Sequence, residues 1–187
     1  MRAGRILWRL APFLAALIAG CAPQPHTLES SPPTSLPVSR DGMLHYQVPE
    51  GWFDATADSP LSGPVIWILR NDYGAAITVS EIHLDAQARH DLAQAGLVQL
   101  AHLTQTLGSG DRPSLLLHAP ELLNAGGREM CAYEMTSAGA ADTVRVLLFD
   151  TGSRVYSVSA LQQAGGVQQS AEDLAEIEQE FVVNLRW

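Results

Sequence analysis

Lysine is absent from the 187 residues of this chain, and arginine provides all 11 of its basic side chains. Aspartate and glutamate together number 20, which gives a formal net charge of −9 at pH 7. Proteins that bind nucleic acids need clustered basic side chains to contact phosphates. The lack of such clusters argues against a nucleic-acid partner, and the acidic balance argues against general electrostatic adhesion to anionic lipid.

Long hydrophobic runs are also missing. The apolar run at residues 10–20 is shorter than the roughly 20 residues that a membrane-spanning helix needs. It follows three arginines and ends in the tetrapeptide Ile-Ala-Gly-Cys at residues 18–21. A basic start, a short apolar run and small residues before a cleavage point are typical of an export signal. The tetrapeptide resembles the lipobox of bacterial lipoprotein precursors, so we predict a signal peptide at residues 1–20 and lipidation of Cys21.

Lipidation of Cys21 would anchor the chain to a membrane. One acyl chain gives only marginal binding, whereas two or three chains, palmitate among them, hold a protein durably. Ala22 follows the cysteine, and by the sorting rules of enteric bacteria this favours the outer over the inner membrane. We therefore expect a cell-envelope protein that faces the periplasm. The alternative is a buried amphipathic helix in which Cys21 is incidental.

Cysteine is scarce, since Cys21 and Cys131 are the only two. If Cys21 carries lipid, the single remaining thiol cannot form an intramolecular disulfide. Cys131 alternates with Tyr133 and Met135, as expected for a small buried hydrophobe on a strand. The alternative, a nucleophile, would require a nearby histidine and a lowered thiol pKa.

Proline is concentrated near the start of the chain, with five of the 11 prolines in residues 22–41. We predict that residues 21–41 comprise the lipidated cysteine and a disordered tether, and that residues 42–187 form one domain. Apolar runs predict strands near residues 43–48, 65–69, 75–84, 115–118, 127–136, 142–149 and 154–161.

Two helices are predicted beside these strands. Asp85 is the expected N-cap of a helix that reaches about Leu107, and Ser170 is the expected N-cap of a closing helix. The first helix has an apolar stripe of Ala88, Leu92, Ala95, Gly96, Leu100, Leu103 and Leu107. The pattern favours an α+β domain, in which a mainly antiparallel sheet is covered by two helices.

This arrangement resembles a known fold. The Val-Pro-Glu-Gly-Trp turn at residues 48–52, the strand pair and long helix after it, and the closing helix opened by Ser170 are similar to the Mog1/PsbP-like sandwich. DcrB-type envelope lipoproteins are similar to the same arrangement. The resemblance implies an accessory binding subunit by analogy and supplies no catalytic residues.

Motifs for catalysis or metal binding are few. No G-x-S-x-G or H-E-x-x-H sequence occurs. His83 and Asp85 could form a metal half-site or a base with its orienting carboxylate, although an exposed histidine is the simpler interpretation. The acidic residues near the C-terminus lack calcium-loop spacing and predict a solvated helix face; they are Glu172, Asp173, Glu176, Glu178 and Glu180. We expect no catalytic, cofactor or metal site.

Three functions therefore compete. The first is a membrane-anchored, non-enzymatic binding or assembly subunit with a protein partner in the cell envelope. The alternative is a small-molecule or ion binder with a pocket between the sheet and the long helix. An enzyme that uses His83, Asp85 and Cys131 is the third. Two roles are open for Trp187: its ring packs on the sheet, or it anchors a partner.

Replacing Cys21 tests the anchor. Cys21→Ala removes the only atom that can carry the thioether-linked lipid, so we expect complete loss of acylation and accumulation of the unprocessed precursor. Incorporation of labelled palmitate measures acylation, and the position of the band on a gel shows whether the precursor is processed. Cys131→Ala is the control. Palmitate labelling that persists in Cys21→Ala would contradict the lipoprotein assignment.

Overall fold

The computed structural model describes residues 35–59, 64–108, 114–137, 143–163, 167 and 169–187. The expected signal peptide, Cys21 and most of the expected tether lie outside these residues. Among the helices of the described part, none combines the length and the apolar character needed to cross a membrane.

One sheet of seven strands organises the domain. In spatial order the strands are β1, β2, β3, β7, β6, β5 and β4, and every neighbouring pair is antiparallel. Their bounds are β1 Trp52–Asp54, β2 Pro64–Arg70, β3 Ala75–Ile82, β4 Ser114–Ala125, β5 Arg128–Ser137, β6 Thr143–Asp150 and β7 Val155–Gln162. Two helices complete the domain, α1 (Ala86–Gly108) and α2 (Ala171–Asn184).

The two helices cover opposite faces of the sheet. Successive residues of a strand point to opposite faces, and on β5 Met130 and Ala132 belong to the core beneath α2. Cys131 and Tyr133, which alternate with them, belong to the core beneath α1. A sheet buried on both faces needs apolar residues at successive positions, as in the Leu147-Leu148 pair of β6. The expected α+β fold with two covering helices is confirmed.

Both predicted helix caps are present. Asp85 Oδ1 accepts a hydrogen bond from the Ala88 N–H (2.8 Å), and Ser170 Oγ accepts one from the Asp173 N–H (3.0 Å). Each satisfies a backbone donor that the first turn of a helix leaves without a partner.

The expected apolar stripe of α1 is confirmed at Leu92 and Leu100 and wrong at Ala95, Gly96 and Leu103. Gly96 has φ 77° and ψ 178°, so the helix is interrupted there and resumes in a new phase. Ala95, Gly96 and Leu103 are exposed. Leu97 and Ala101, which lie outside the expected stripe, are buried against the sheet together with Leu92 and Leu100.

The domain begins earlier than the expected boundary at residue 42. Ser39 is buried, and its Oγ accepts a hydrogen bond from the Leu44 N–H (2.8 Å). Asp41 accepts hydrogen bonds from the Tyr156 hydroxyl (2.8 Å) and from Arg154 Nη1 (3.1 Å). Ser39 and Asp41 therefore belong to the folded domain, whereas Leu36 and Val38 before them are exposed. The sequence did not predict these contacts, because the segment before residue 42 is polar and because the partners of Asp41 lie more than 100 positions later in the chain.

The first expected strand, at residues 43–48, is also different. His45 forms only isolated bridges with Val38 and with Arg186, and the first strand of the sheet is β1.

Gly96→Ala tests the break in α1. The conformation at Gly96 is one that almost only glycine adopts, so we expect a loss of about 1–3 kcal/mol in the free energy of unfolding. Urea unfolding followed by circular dichroism measures it, with Gln99→Ala as the control at an exposed helical position. An unchanged or higher stability of Gly96→Ala would show that α1 can run without a break.

Candidate functional site

A cleft of about 770 Å³ lies between the outer strands β4–β6 and the first half of α2. It opens beside a distorted stretch of β4, where the register with β5 shifts between Leu116 and His118 and again between His118 and Glu121. Bulges of this kind bend a strand and re-aim its side chains. The described residues that line the cleft are His118, Ala119, Pro120, Glu121, Ala132, Tyr133, Glu134, Arg145, Ala171, Glu172, Ala175, Glu176 and Gln179.

The lining of the cleft is predominantly acidic. It contains four glutamates, Glu121, Glu134, Glu172 and Glu176, and Arg145 is the only arginine among the described residues that line it. His118 Nδ1 lies 2.7 Å from Glu134 Oε2. Arg145 Nη1 donates a hydrogen bond to the Ala175 carbonyl oxygen of α2 (2.9 Å). The cleft therefore presents carboxylates to solvent, with its one arginine tied to the helix backbone.

Glu178 lies buried behind this arginine, contrary to the expected solvated position. Its Oε2 is 3.7 Å from Arg145 Nη1, and neither carboxyl oxygen has a hydrogen-bond partner within the described residues. Burial raises the pKa of Glu178 to about 8, although Arg145 acts to lower it. Glu178 lies four residues after Leu174 and three before Phe181, so all three side chains share one face of α2. This spacing in the sequence indicates a buried position for Glu178.

Strand β4 forms the outer edge of the sheet on this side. It is paired only with β5, so its other edge presents backbone N–H and C=O groups that have no strand partner in the described part of the chain. Leu117 and Leu122 are exposed on the same strand. A cleft beside an open strand edge can accept an extended segment of another chain.

The residues proposed for catalysis are not brought together. His83 is exposed, and its Nδ1 lies 3.3 Å from Glu81 Oε1, whereas Asp85 caps α1. No group of three or more His, Cys, Asp or Glu side chains in the described residues is arranged to hold a metal ion.

Cys131 is a buried free cysteine on β5. Burial raises the pKa of its thiol to about 11, with a further contribution from Glu121 and Glu129. A thiol with such a pKa is almost entirely protonated at neutral pH and is a poor nucleophile. The interpretation of Cys131 as a small core residue is confirmed.

Trp187 packs on the sheet, as the first of its two interpretations proposed. Its ring stacks on Phe149 with a centroid distance of 5.5 Å, and the Arg128 guanidinium carbon lies 4.0 Å from the Trp187 ring centroid. A groove of about 510 Å³ runs beside it between α1 and the end of the sheet, with Leu92 and Leu97 in its lining.

Comparison with known proteins supports the fold. No protein-family model and no curated protein matches the sequence. The chain is similar to the solution structure of cyanobacterial PsbP (CyanoP) from Synechocystis sp. PCC 6803, with a TM-score of 0.53 and 9% identity over 80% of this chain and 89% of that chain. The PsbP-like fold expected from the sequence is therefore confirmed.

A crystal structure from Bacteroides thetaiotaomicron VPI-5482 also matches, with a TM-score of 0.41 and 14% identity over 81% of this chain. The match spans 47% of that longer chain. At 9% identity the likeness to CyanoP concerns the fold alone.

Replacing Glu178 tests its buried position. Between the ordinary carboxyl pKa of 4.5 and a folded-state pKa of about 8, the unfolded chain releases the Glu178 proton while the folded protein keeps it. Stability should therefore fall as pH rises through this window, by up to about 1.4 kcal/mol per pH unit from this group. In Glu178→Gln this contribution should vanish, and the variant should be more stable than the parent at pH 8.

Urea unfolding at several pH values between 5 and 8.5 measures this effect. Glu176→Gln is the matched control, because Glu176 lies on the same helix and is exposed. A Glu178→Gln variant with the same pH slope as the parent would show that the buried carboxyl does not keep its proton.

Proposed function

We propose that this protein is a membrane-anchored bacterial lipoprotein of the DcrB type, which serves as a non-enzymatic binding or assembly subunit in the cell envelope. In this proposal a partner protein occupies the cleft between β4 and α2. The observation that carries it is the open edge of β4 beside that cleft, because an unpaired strand edge is a template for another chain.

The anchor in this proposal is Cys21. Its support is the order of features before it, in which arginines, a short apolar run and two small residues precede the cysteine. Acyl chains on Cys21 would hold the domain at the periplasmic side of a membrane, with the outer membrane favoured by Ala22.

The chemistry of the partner follows from the charge of the cleft. Four glutamates line it, and its arginine already donates to Ala175. Complementary charges speed association and select partners. We therefore expect a partner segment that is extended and carries arginine or lysine, so that its backbone can pair with β4 while its basic side chains reach the glutamates.

A non-enzymatic role is supported by the separation of the reactive groups. The Cys131 thiol is buried with a raised pKa, His83 contacts Glu81 at the surface, and Asp85 is used as a helix cap. Nucleophilic catalysis needs a nucleophile within hydrogen-bonding distance of its base. These three residues do not provide that arrangement.

Site-specific crosslinking tests the proposed cleft. A photoreactive amino acid in place of Ala119, which is exposed in the lining of the cleft, should give one discrete adduct with an envelope protein in living cells. The same amino acid in place of Tyr73, which is exposed in the turn between β2 and β3, is the matched control. Equal adducts at both positions, or none at position 119, would contradict the proposal.

A second candidate function is small-molecule binding in the groove beside α1. Apolar Leu92 and Leu97 line it together with the ion pair between Arg89 and Asp150, whose Nη1 and Oδ1 atoms are 3.0 Å apart. Pockets of this mixed character commonly bind small ligands. A rise in melting temperature with a metabolite, lost in Leu97→Trp, would support this function.

A further inference from the structure

The two ends of the described domain meet in a small strand ladder. His45 bridges Val38 on one side and Arg186 on the other. The His45 N–H donates to the Arg186 carbonyl oxygen (2.8 Å), the Arg186 N–H donates to the His45 carbonyl oxygen (2.9 Å), and the Tyr46 N–H donates to the Pro37 carbonyl oxygen (3.1 Å). The segment where the chain enters the domain is thus held directly against the C-terminal segment.

This ladder has a buried side and an exposed side. Leu44, Tyr46 and Leu185 point into the core. Because side chains alternate along extended backbone, the intervening residues point outward. They form what we call the outer ladder face, which consists of Leu36, Val38, Met43, His45 and Arg186, all of them exposed. Three of these five are large apolar side chains.

Two arginines beside this face lack a counter-charge. Burial and the nearby charge of Arg186 both lower the pKa of Arg128. Within the described residues neither arginine forms an ion pair with a carboxylate, although Arg128 lies over the exposed Trp187 ring and its Nη1 donates a hydrogen bond to the Val182 carbonyl oxygen (3.3 Å). Other arginines of this acidic domain do have carboxylate partners, namely Arg70, Arg89 and Arg154. Two like charges placed together without a carboxylate favour binding of an external anion.

The position of the outer ladder face in the chain indicates that this anion is the phosphate of a membrane lipid. Thirteen residues lie between Cys21 and Ser35, where the described domain begins, and at about 3.5 Å per residue the two positions can be at most about 50 Å apart. The outer ladder face therefore lies at the point where the tether joins the domain. Arginine side chains next to exposed apolar side chains are typical of protein surfaces that lie at a membrane interface.

We propose that the outer ladder face lies on the membrane surface, with Leu36, Val38 and Met43 among the headgroups and with Arg128 and Arg186 against lipid phosphates. This inference rests on the proposed anchor at Cys21. After loss of the three signal-peptide arginines, 8 arginines face 20 acidic residues, and this charge of −12 repels an anionic surface at a distance. Salt screens charges beyond about 8 Å, so the arginines at the contact decide the local attraction. The acyl chains supply retention, and the face sets the orientation of the domain.

This orientation keeps the partner cleft accessible. The outer ladder face follows the C-terminal end of α2, whereas the residues of α2 that line the cleft lie between Ala171, where the helix begins, and Gln179. The 14 residues of α2 span about 21 Å. A domain that lies on its ladder face would therefore present the cleft toward the periplasm.

Environment-sensitive fluorescence tests the orientation in the acylated full-length protein. Val38→Cys and Leu117→Cys place a thiol at positions of matched exposure, 45% and 47%, on the ladder and on β4. A nitrobenzoxadiazole label reports entry into headgroups, while the buried Cys131 stays unlabelled. On vesicles of phosphatidylethanolamine and phosphatidylglycerol, we expect a blue shift and about a twofold rise in emission at position 38 only. Equal responses at both positions, or a larger one at position 117, would overturn the inference.

The arginines have a separate test. Arg128→Gln with Arg186→Gln should lower the position-38 signal on phosphatidylglycerol vesicles by about half and lower it less on phosphatidylcholine, whose phosphate is balanced by the positive choline. Circular dichroism checks the fold, and Arg186→Gln alone is used if the double variant unfolds. A signal that does not depend on these arginines would overturn the assigned lipid contact.

Mass spectrometry of the peptide that contains Cys21 distinguishes the two proposals. Unmodified Cys21 would remove the anchor and, with it, the membrane-facing role of the ladder. Acylated Cys21 without a selective response at position 38 would leave the anchor intact and overturn the orientation alone.

Discussion

The structure depends on the register of the central strands. Leu147 lies opposite Ala132 on one side and Val158 on the other, and all three point toward α2. A slip of one residue would send these side chains toward α1 and bring the opposite set beneath α2. Because both faces of the sheet are buried, such a slip would misplace both cores at once. The register therefore determines where each helix can pack.

The position of α2 over this sheet creates the cleft. The helix packs on the sheet through Leu174, Phe181 and Val182, and its N-terminal part lines the cleft together with residues of β4, β5 and β6. Arg145 joins the two parts, since it reaches from β6 to the backbone of α2 and lies near Glu178. A buried carboxyl without a hydrogen bond is costly, and its raised pKa is the response expected from such a site.

The proposed functions occupy different ends of the domain. The outer ladder face carries exposed apolar and cationic side chains at the N-terminal start of the domain. The glutamates of the cleft lie beside the N-terminal part of α2. Between them, the network of Asp41, Arg154 and Tyr156 ties the entering segment to the sheet. An accessory subunit held in this way would combine a membrane-facing surface with a partner-facing one on a single rigid sheet.

Interactions between residues that are close in sequence determine much of the secondary structure of this protein. Caps at Asp85 and Ser170 and the alternation around Cys131 each depend on a few neighbouring residues, so the sequence by itself determined the α+β class and most of its elements. The tertiary structure decided the rest, because the causes are distant in sequence. Four features depend on packing against a sheet whose strands are far apart in the chain. They are the break at Gly96, the packing of Ser39 and Asp41, the bulges of β4 and the burial of Glu178.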